Sequence, residues 1–249
     1  MLYITVRDRS KRKIVLIGSL ILLLSVVYWG TPMVGNEHAP VTAPHNSVID
    51  QVEVSSEEVA LTFNVTWGTE TFTSVLDFLD EAGVKGTMFI AGPWAEANED
   101  LVKRAAEAGH DIGSLGYRQI DLTSVEAAVV QDELAKSAGV FRQILGAEPR
   151  LFRPPSGHSD ENVVTAATES GMLVITASLD AMDWSNPGVE AIVGRVTDHV
   201  RPGLIIEFHA DDSSAQLAEA LPTIIEELHR MDYRCVSLSQ LIGLDQGDE

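Results

Sequence analysis

Residues 59–68 read V-A-L-T-F-N-V-T-W-G, and this stretch decides the fold of the chain. Its apolar run is typical of a buried strand, and the polar residues with Trp67 and Gly68 at its C-terminal end are typical of a loop that forms a site. We therefore expect the function of the chain to lie at the end of this strand. An amide, Asn64, stands there at the position where a catalytic carboxylate is expected.

Apolar runs and amphipathic stretches alternate from residue 48 onward. Residues 51–54 are predicted as an edge strand, and seven further strands are predicted at residues 59–63, 87–90, 111–114, 151–153, 173–178, 204–208 and 234–237. A T-S-V-E box beginning at Thr123 predicts the start of a long helix over residues 125–145. Gly83, Gly109 and Gly171 are each predicted to close the helix that precedes them. Strands that alternate with helices predict an α/β fold whose parallel sheet closes into a barrel.

The charge of the chain is strongly negative and unevenly placed. The 249 residues carry a formal charge of -20, whereas the first 30 residues hold five basic side chains and one acidic. Subtracting this +4 leaves -24 on the remainder, which would repel nucleic acid and anionic lipid, so we expect no nucleic-acid partner. The single cysteine, Cys235, forms no intramolecular disulfide and is interpreted as a small buried hydrophobe.

The N-terminal segment divides into three parts before the folded domain. A basic tail at residues 1–13 precedes an apolar run at residues 14–29, which ends in Tyr28 and Trp29. We interpret the run as one transmembrane helix with the N-terminus in the cytoplasm and the domain outside, the alternative being a cleaved signal peptide and a secreted domain. Residues 30–47 are predicted to be an extended linker, and residues 48–249 the domain.

Polar and aromatic residues gather at the C-terminal ends of five predicted strands. In a βα barrel these ends build the site. Each residue alone also fits a structural role, but the recurrence is hard to explain by packing. The set comprises Asn64, Thr66, Trp67, Ser114, Gly116, Tyr117, Gln119, Arg153, Pro154, Pro155, Ser156, Gly157, Asp180, Asp183, Trp184, Glu207, His209, Asp211 and Asp212. Glu207 alternates with apolar neighbours, which predicts that it points away from the pocket.

Five ordered motifs carry a resemblance to a known family. They read T-F-N-V from Thr62, G-H-D-I-G-S-L-G-Y from Gly109, R-P-P-S-G from Arg153, D-A-M-D-W from Asp180 and I-E-F-H from Ile206. In this order and spacing they resemble the polysaccharide deacetylase (NodB-homology) family, carbohydrate esterase family 4, over residues 59–241. The resemblance implies a distorted (β/α)7 barrel and, in active members, metal-assisted hydrolysis of an N-acetyl group on a sugar.

The metal half of the family site is replaced in this chain. The resemblance puts the family's base at Asn64 and its metal ligands, one Asp and two His, at Val65, Leu115 and Gln119. An amide accepts no proton near neutral pH, and none of the three ligand positions holds a useful ligand. We therefore expect no metal cofactor, although the family commonly uses zinc.

The other half of the family site is retained. By resemblance Arg153 orients the base, Asp183 tunes the catalytic histidine and His209 is the general acid, which makes these the predicted catalytic residues. If Asp183 pairs with His209, it raises the pKa of that histidine. The predicted substrate-binding residues are Asn64, Trp67, Tyr117, Pro154 and Trp184, since aromatic walls with polar groups suit a sugar ring. The expected partner is a cell-wall glycan such as peptidoglycan.

The departures from the family pattern resemble a membrane-anchored subgroup associated with sporulation. Three hypotheses stay open for the function. The first is an envelope protein that binds glycan and has lost metal-dependent catalysis. The second is a hydrolase with a rearranged site, in which acidic side chains at the strand ends hold a shifted divalent ion; their alternative role is a solvated rim. The third is a membrane-tethered protein-interaction module whose barrel is only a scaffold.

Overall fold

A computed structural model describes residues 47–244 of the chain. The strands are β1 (Val48–Ile49), β2 (Glu58–Val65), β3 (Thr87–Ile90), β4 (Asp111–Ser114), β5 (Leu151–Phe152), β6 (Leu173–Ile175), β7 (Leu179–Asp180), β8 (Ile205–His209) and β9 (Arg234–Val236). The helices are α1 (Glu70–Ala82), α2 (Gly92–Ala97), α3 (Glu99–Glu107), α4 (Ala127–Leu145), α5 (Glu161–Glu169), α6 (Val189–Thr197), α7 (Gln216–Arg230) and α8 (Leu238–Leu241). Short 3-10 turns occur at Leu122–Ser124, Asp183–Ser185 and Asp212–Ser214.

The strands form one parallel sheet in the order β1-β6-β5-β4-β3-β2-β8-β7, and β9 pairs with the first residues of β2. The predicted α/β architecture with a parallel sheet is therefore confirmed. The predicted closed ring is not, because the outer strands β1 and β7 have no ladder with each other in residues 47–244. The sheet is a curled half-barrel that is consistent with a distorted βα barrel.

Strand β2 lies at the centre of the sheet, as the apolar stretch predicts. All eight of its residues are buried, with β3 on one side and β8 on the other. The parallel register sets Asn64 opposite His209 of β8 and opposite Phe89 of β3. Because parallel strands end at the same edge of a sheet, this register brings the last side chains of β2 and β8 together.

Two of the predicted strands differ in the structure. Residues 51–54 contain no strand, and only Gln51 forms an isolated bridge, to Leu204; the edge strand is β1 instead. The predicted strand at residues 173–178 is shorter in the structure: β6 ends at Ile175 and pairs with β1 and β5, and the separate strand β7 lies just beyond the predicted range and pairs with β8. The chain changes partners between them, since the amide of Thr176 donates to Ile49 and that of Ser178 donates to Ile205.

The start of helix α4 also differs from the prediction. The helix begins at Ala127, and the preceding residues form the 3-10 turn Leu122–Ser124, which Asp121 caps by accepting the amide of Thr123. The T-S-V-E box therefore does not form: Thr123 lies within the 3-10 turn, and its hydroxyl is hydrogen-bonded to Asp121 instead of to an amide at the start of α4. Gly83 closes α1 in the left-handed conformation, as predicted.

The predicted membrane segment at residues 14–29 and the predicted linker up to residue 46 fall outside the described residues. Within residues 47–244, no helix combines the length and the apolar composition needed to cross a bilayer. Cys235 lies in β9, and burial raises the pKa of its thiol to about 12, so this residue behaves as a small hydrophobe and not as a nucleophile.

Candidate functional site

Arg153 is the buried centre of the candidate site. It directly follows β5, is only 2% exposed, and lies over the ring of Phe89 with its guanidinium carbon 4.2 Å from the ring centroid. Its Nη1 donates to Oδ1 of Asn64 at 2.9 Å, and its Nη2 donates to the hydroxyl of Thr62 at 2.8 Å. Burial lowers the pKa of Arg153 to about 10 against the opposing pull of nearby carboxylates, so the guanidinium is charged at neutral pH.

Asn64 is held by a partner at each end of its amide. Its Oδ1 accepts from Arg153, and its Nδ2 donates to Oε1 of Glu207 at 2.5 Å. An amide satisfies both neighbours, whereas an aspartate would place a carboxylate against a carboxylate. The prediction that Glu207 points away is therefore wrong: residues two apart on a strand share a face, so Glu207 lies on the side of β8 that carries His209.

His209 and Asp183 form the second group of the site. The buried carboxylate of Asp183 accepts the backbone amide of His209 at 2.8 Å and lies 3.2 Å from its ring Nδ1. The other ring nitrogen, Nε2, lies 3.8 Å from Oε1 of Glu207. Burial acts to lower the pKa of His209, but the hydrogen bond and charge of Asp183, with further help from Glu207, outweigh it and raise that pKa. The predicted pairing of Asp183 with His209 is confirmed.

Asp180, Asp183 and His209 are the described residues that could hold a cation. One oxygen or nitrogen of each lies within 4.8 Å of the others. Asp180 already accepts the amide of Met182 and the indole of Trp184, and both oxygens of Asp183 accept from His209. The donor set fits a divalent ion in kind, so the pocket as a whole is not without ligands, although a bound ion would compete with these hydrogen bonds.

The three positions that the resemblance assigns to metal ligands hold no such group. Val65 and Leu115 are buried in the apolar core, and exposed Gln119 donates its side-chain amide to the carbonyl of Leu115 at 3.3 Å. These residues do not fit a metal, because two are hydrocarbon and the third already points its amide nitrogen at the backbone. That they correspond to the family ligands stays a prediction from the motifs.

The loop after β2 is fixed by Asp211 and Asp212, two acids predicted from the sequence to lie at the strand ends, as possible ligands of an ion or as a solvated rim. Asp211 accepts the amide and hydroxyl of Thr66, each at 2.7 Å, and the amide of Trp67 at 3.1 Å. Asp212 accepts the amides of Thr69 and Thr71 at the start of α1, an end at which an acid is favourable. The turn after β8 therefore holds the loop that ends the central strand.

The predicted aromatic and proline residues occupy different surroundings. Trp67 and Trp184 are 54% and 51% exposed, and the loop of Trp184 is joined to the turn after β8 through Asn186, whose amide donates to the carbonyl of Ser213 at 2.7 Å. Tyr117 instead turns toward α2, where its hydroxyl donates to Glu96 at 3.2 Å. Pro154 is buried directly after Arg153.

Comparison with known proteins gives consistent similarities. A family model described as polysaccharide deacetylase matches residues 51–175. The chain is 30% identical over 202 residues to a peptidoglycan-N-acetylglucosamine deacetylase of Bacillus cereus, covering 80% of this chain and 94% of that protein. It is 32% identical over 169 residues to the uncharacterized protein YlxY of Bacillus subtilis, covering 68% of this chain and 53% of YlxY, so it spans about half the length of that relative.

A solved structure is also similar. It is that of wild-type BA3943 from Bacillus anthracis, a pseudoenzyme of carbohydrate esterase family 4, with a TM-score of 0.75 and 28% identity. The match covers 79% of this chain and 69% of that one.

Proposed function

Because this chain belongs to the polysaccharide deacetylase family, we propose that it is a cell-envelope protein that binds peptidoglycan-like glycan and has lost metal-dependent deacetylation. One observation carries this proposal. The amide of Asn64 is fixed between the guanidinium of Arg153 and the carboxylate of Glu207, at the position where the family resemblance puts a base. The site is therefore adapted to a residue that takes no proton.

The lost chemistry concerns two functions of the family site. A base must accept a proton from the attacking water, and a cation must polarise the acetyl carbonyl. Asn64 cannot accept the proton. Val65, Leu115 and Gln119 cannot hold the cation at the positions of the family ligands. The replacements agree with one another, which favours a coordinated loss over isolated drift.

Glycan binding is supported by the exposed indoles and the polar groups beside them. Trp67 and Trp184 present apolar faces to solvent, while the half-buried side chains of Glu207 and His209 offer an acceptor and a ring nitrogen at the strand end. A sugar ring has apolar faces and polar edges, so this combination suits it. The two indole loops are both tied to the turn after β8, and this keeps them beside the same strand end.

The location of the protein is part of the same proposal. The basic tail and the apolar run at residues 14–29 favour a single-pass anchor with the domain outside the membrane, where peptidoglycan lies; cleavage of the run would instead give a secreted domain. The motif variants favour a role in sporulation. These points rest on the sequence of residues outside the described part of the chain and on the resemblance.

A hydrolase with a rearranged site is the second candidate function. It is favoured by the grouping of Asp180, Asp183 and His209, whose donor atoms lie within 4.8 Å of one another. A divalent ion held there would polarise an acetyl carbonyl. As one of the ligands, His209 would hold the ion through an unprotonated ring nitrogen, so it would not also supply the proton to the leaving amine.

An assay of acetate release and binding separates the candidates. Purified full-length protein is incubated with N-acetylated chitooligosaccharide or peptidoglycan, with and without added zinc or cobalt. The proposal predicts binding without acetate release, and Trp184→Ala should weaken that binding about tenfold, as expected when an aromatic side chain is removed from a binding surface. Met231→Ala is the matched control, since Met231 is also an exposed apolar side chain but follows α7.

Three outcomes contradict the proposal in different ways. Metal-stimulated acetate release would support the rearranged hydrolase. Equal losses in Trp184→Ala and Met231→Ala would show that the indole is no part of the binding surface. Binding of neither glycan would favour the interaction module.

A further inference from the structure

We propose that Glu207 makes the site selective for de-N-acetylated sugar units, whose free amine is an ammonium ion, over N-acetylated ones. This inference rests on the proposed glycan-binding function and names the form of the glycan that the site takes.

Glu207 offers a carboxylate oxygen to the pocket. Its Oε1 accepts from Asn64, while its Oε2 takes part in no hydrogen bond within residues 47–244, and the side chain is 20% exposed. The neighbouring acids are already in use: Asp183 accepts twice from His209, and Asp180 accepts from Met182 and Trp184. Among these three carboxylates, Glu207 is the one with an oxygen that has no hydrogen-bond partner in the described residues.

The charge of the pocket is negative in either form of the histidine. Three carboxylates, those of Asp180, Asp183 and Glu207, face one guanidinium and one imidazole. The guanidinium of Arg153 is buried, is hydrogen-bonded to the neutral side chains of Asn64 and Thr62, and lies 4.0 Å from Oε1 of Glu207, so it offsets part of this negative charge but not all of it. A cationic group next to Glu207 would be favoured by this field.

The two sugar forms present different groups to Glu207: an ammonium in the de-N-acetylated form and an acetamido group in the N-acetylated form. The free oxygen, Oε2, belongs to the carboxylate that contacts Asn64. By resemblance, Asn64 stands at the position of the family's base, beside which the nitrogen substituent of the sugar would lie. An ammonium brings three donors and a positive charge and no acceptor. An acetamido group brings one donor and a carbonyl oxygen, which is repelled by a carboxylate, and it carries no charge. The ammonium form is therefore the better match.

The test compares two oligomers that differ only in their acetyl groups. Full-length protein is titrated with tetraglucosamine and with tetra-N-acetylchitotetraose at pH 6 and low salt, and binding is measured by calorimetry. We expect wild type to bind tetraglucosamine about tenfold more tightly or better, which corresponds to one strong charge-assisted contact. In Glu207→Gln the affinities for the two oligomers should differ by no more than about threefold. Added sodium chloride should reduce the preference of wild type for tetraglucosamine.

A control variant removes the same charge from elsewhere. Glu226 is exposed on α7, and Glu226→Gln changes the net charge as Glu207→Gln does. Glu226→Gln should prefer tetraglucosamine over the N-acetylated oligomer as strongly as wild type does. If Glu226→Gln reduces the preference as far as Glu207→Gln, the effect belongs to the overall charge and the inference is wrong.

The remaining outcomes separate this inference from the function on which it rests. Equal affinity for both oligomers in wild type overturns the selectivity and leaves glycan binding intact. Tighter binding of the N-acetylated oligomer does the same. Binding of neither oligomer overturns both proposals.

Discussion

Asn64 and Glu207 form a pair in which one partner has to be uncharged. Their side chains approach to 2.5 Å, and the guanidinium of Arg153 contacts the far side of Asn64 at 2.9 Å. Asn64→Asp would replace the donated hydrogen bond by two carboxylates at that distance. Such a pair shares a proton, so the folded variant would bind a proton that the unfolded chain has already released.

The sign of the resulting pH dependence follows from this proton. Stability falls with rising pH wherever the folded state binds more protons than the unfolded state. We expect Asn64→Asp to lower the free energy of unfolding by about 1–2 kcal/mol at pH 7, since Arg153 offsets part of the repulsion, and to approach wild type in acid. Urea unfolding at pH 7 and pH 4 measures this.

The matched control combines two substitutions. In the double variant Asn64→Asp with Glu207→Gln, the amide at residue 207 can donate to the carboxylate at residue 64. Most of the stability lost in the single variant should therefore return. A double variant as unstable as the single one would show that the pair is not coupled. Acetate release should be absent in the single variant, because Asp at residue 64 supplies a base and no metal ligand; release would show that the metal argument is wrong.

Asp183 determines the protonation of His209. Burial alone would lower the pKa of this histidine, and the buried carboxylate of Asp183 reverses the shift. Asp183→Asn should therefore lower the pKa of His209 below its ordinary value, as measured by NMR titration of the imidazole. The imidazole of His110, whose pKa is lowered by burial, is the internal control, and its pKa should not change.

The stability effect of this pair has a defined pH window. A histidine whose folded pKa is raised gains stability below its unfolded pKa of about 6.5 and loses it as pH rises through the folded value. The deficit of Asp183→Asn should thus be larger at pH 5.5 than at pH 8.5. A deficit that is equal at both values would mean that Asp183 acts through the backbone amide of His209 alone.

At the scale of elements, the turn after β8 organises the loop after β2. Asp211 holds Thr66 and Trp67 through three hydrogen bonds, and Asp212 holds the amides that open α1. Each of these contacts joins residues more than 140 positions apart. The loop therefore depends on a neighbouring strand end for its shape.

Hydrogen exchange tests whether Asp211 and Asp212 each protect their own set of backbone amides. Asp211→Asn should speed the exchange of the amides of Thr66 and Trp67 by about tenfold, since one hydrogen bond is worth about 1 kcal/mol or more. Asp212→Asn should act instead on Thr69 and Thr71, and so serves as the matched control. Loss of protection over the whole loop in both variants would show that the turn acts as one unit.

The sequence predicts the elements of this fold better than their partners. The position of β2, the parallel alternation and the pairing of Asp183 with His209 follow from local patterns and ordered motifs. Closure of the sheet was not predictable in this way, because it depends on contacts of two-residue strands such as β1 and β7, which carry little periodicity. The capping of α1 by Asp212 was equally hidden, since the cap lies far away in sequence.

Glu207 shows that a signal in the sequence can be given too little weight. Its apolar neighbours Ile206 and Phe208 suggested a side chain that points away from the site, yet the half-buried face that Glu207 shares with His209 is the one that lines the site. The period of two was the better guide, because it puts Glu207 on the face of His209. The identity of its partner, Asn64, required the register between β2 and β8.

At the scale of the whole molecule, the dominant physical property is the excess of negative charge. The chain has 37 acidic and 17 basic residues, and the first 30 residues hold five of the basic ones. The described ion pairs are mostly exposed, for example Lys103 with Glu99 and Arg104 with Asp77, and such pairs stabilise a fold only weakly. Most of the remaining carboxylates repel one another across the surface of the domain.

This repulsion predicts that salt stabilises the protein. At 0.5 M ionic strength, charges beyond roughly 4 Å are screened, whereas at 0.01 M the screening length is about 30 Å. Relief of self-repulsion should exceed the loss of the weak surface pairs, so we expect Tm to rise by roughly 2–4 °C, which corresponds to about 1 kcal/mol for a domain of this size. Scanning calorimetry of the full-length protein in sodium chloride and in tetramethylammonium chloride checks this. Equal shifts in the two salts identify screening, a shift in sodium alone identifies cation binding, and a lower Tm in both would show that the surface ion pairs outweigh the repulsion.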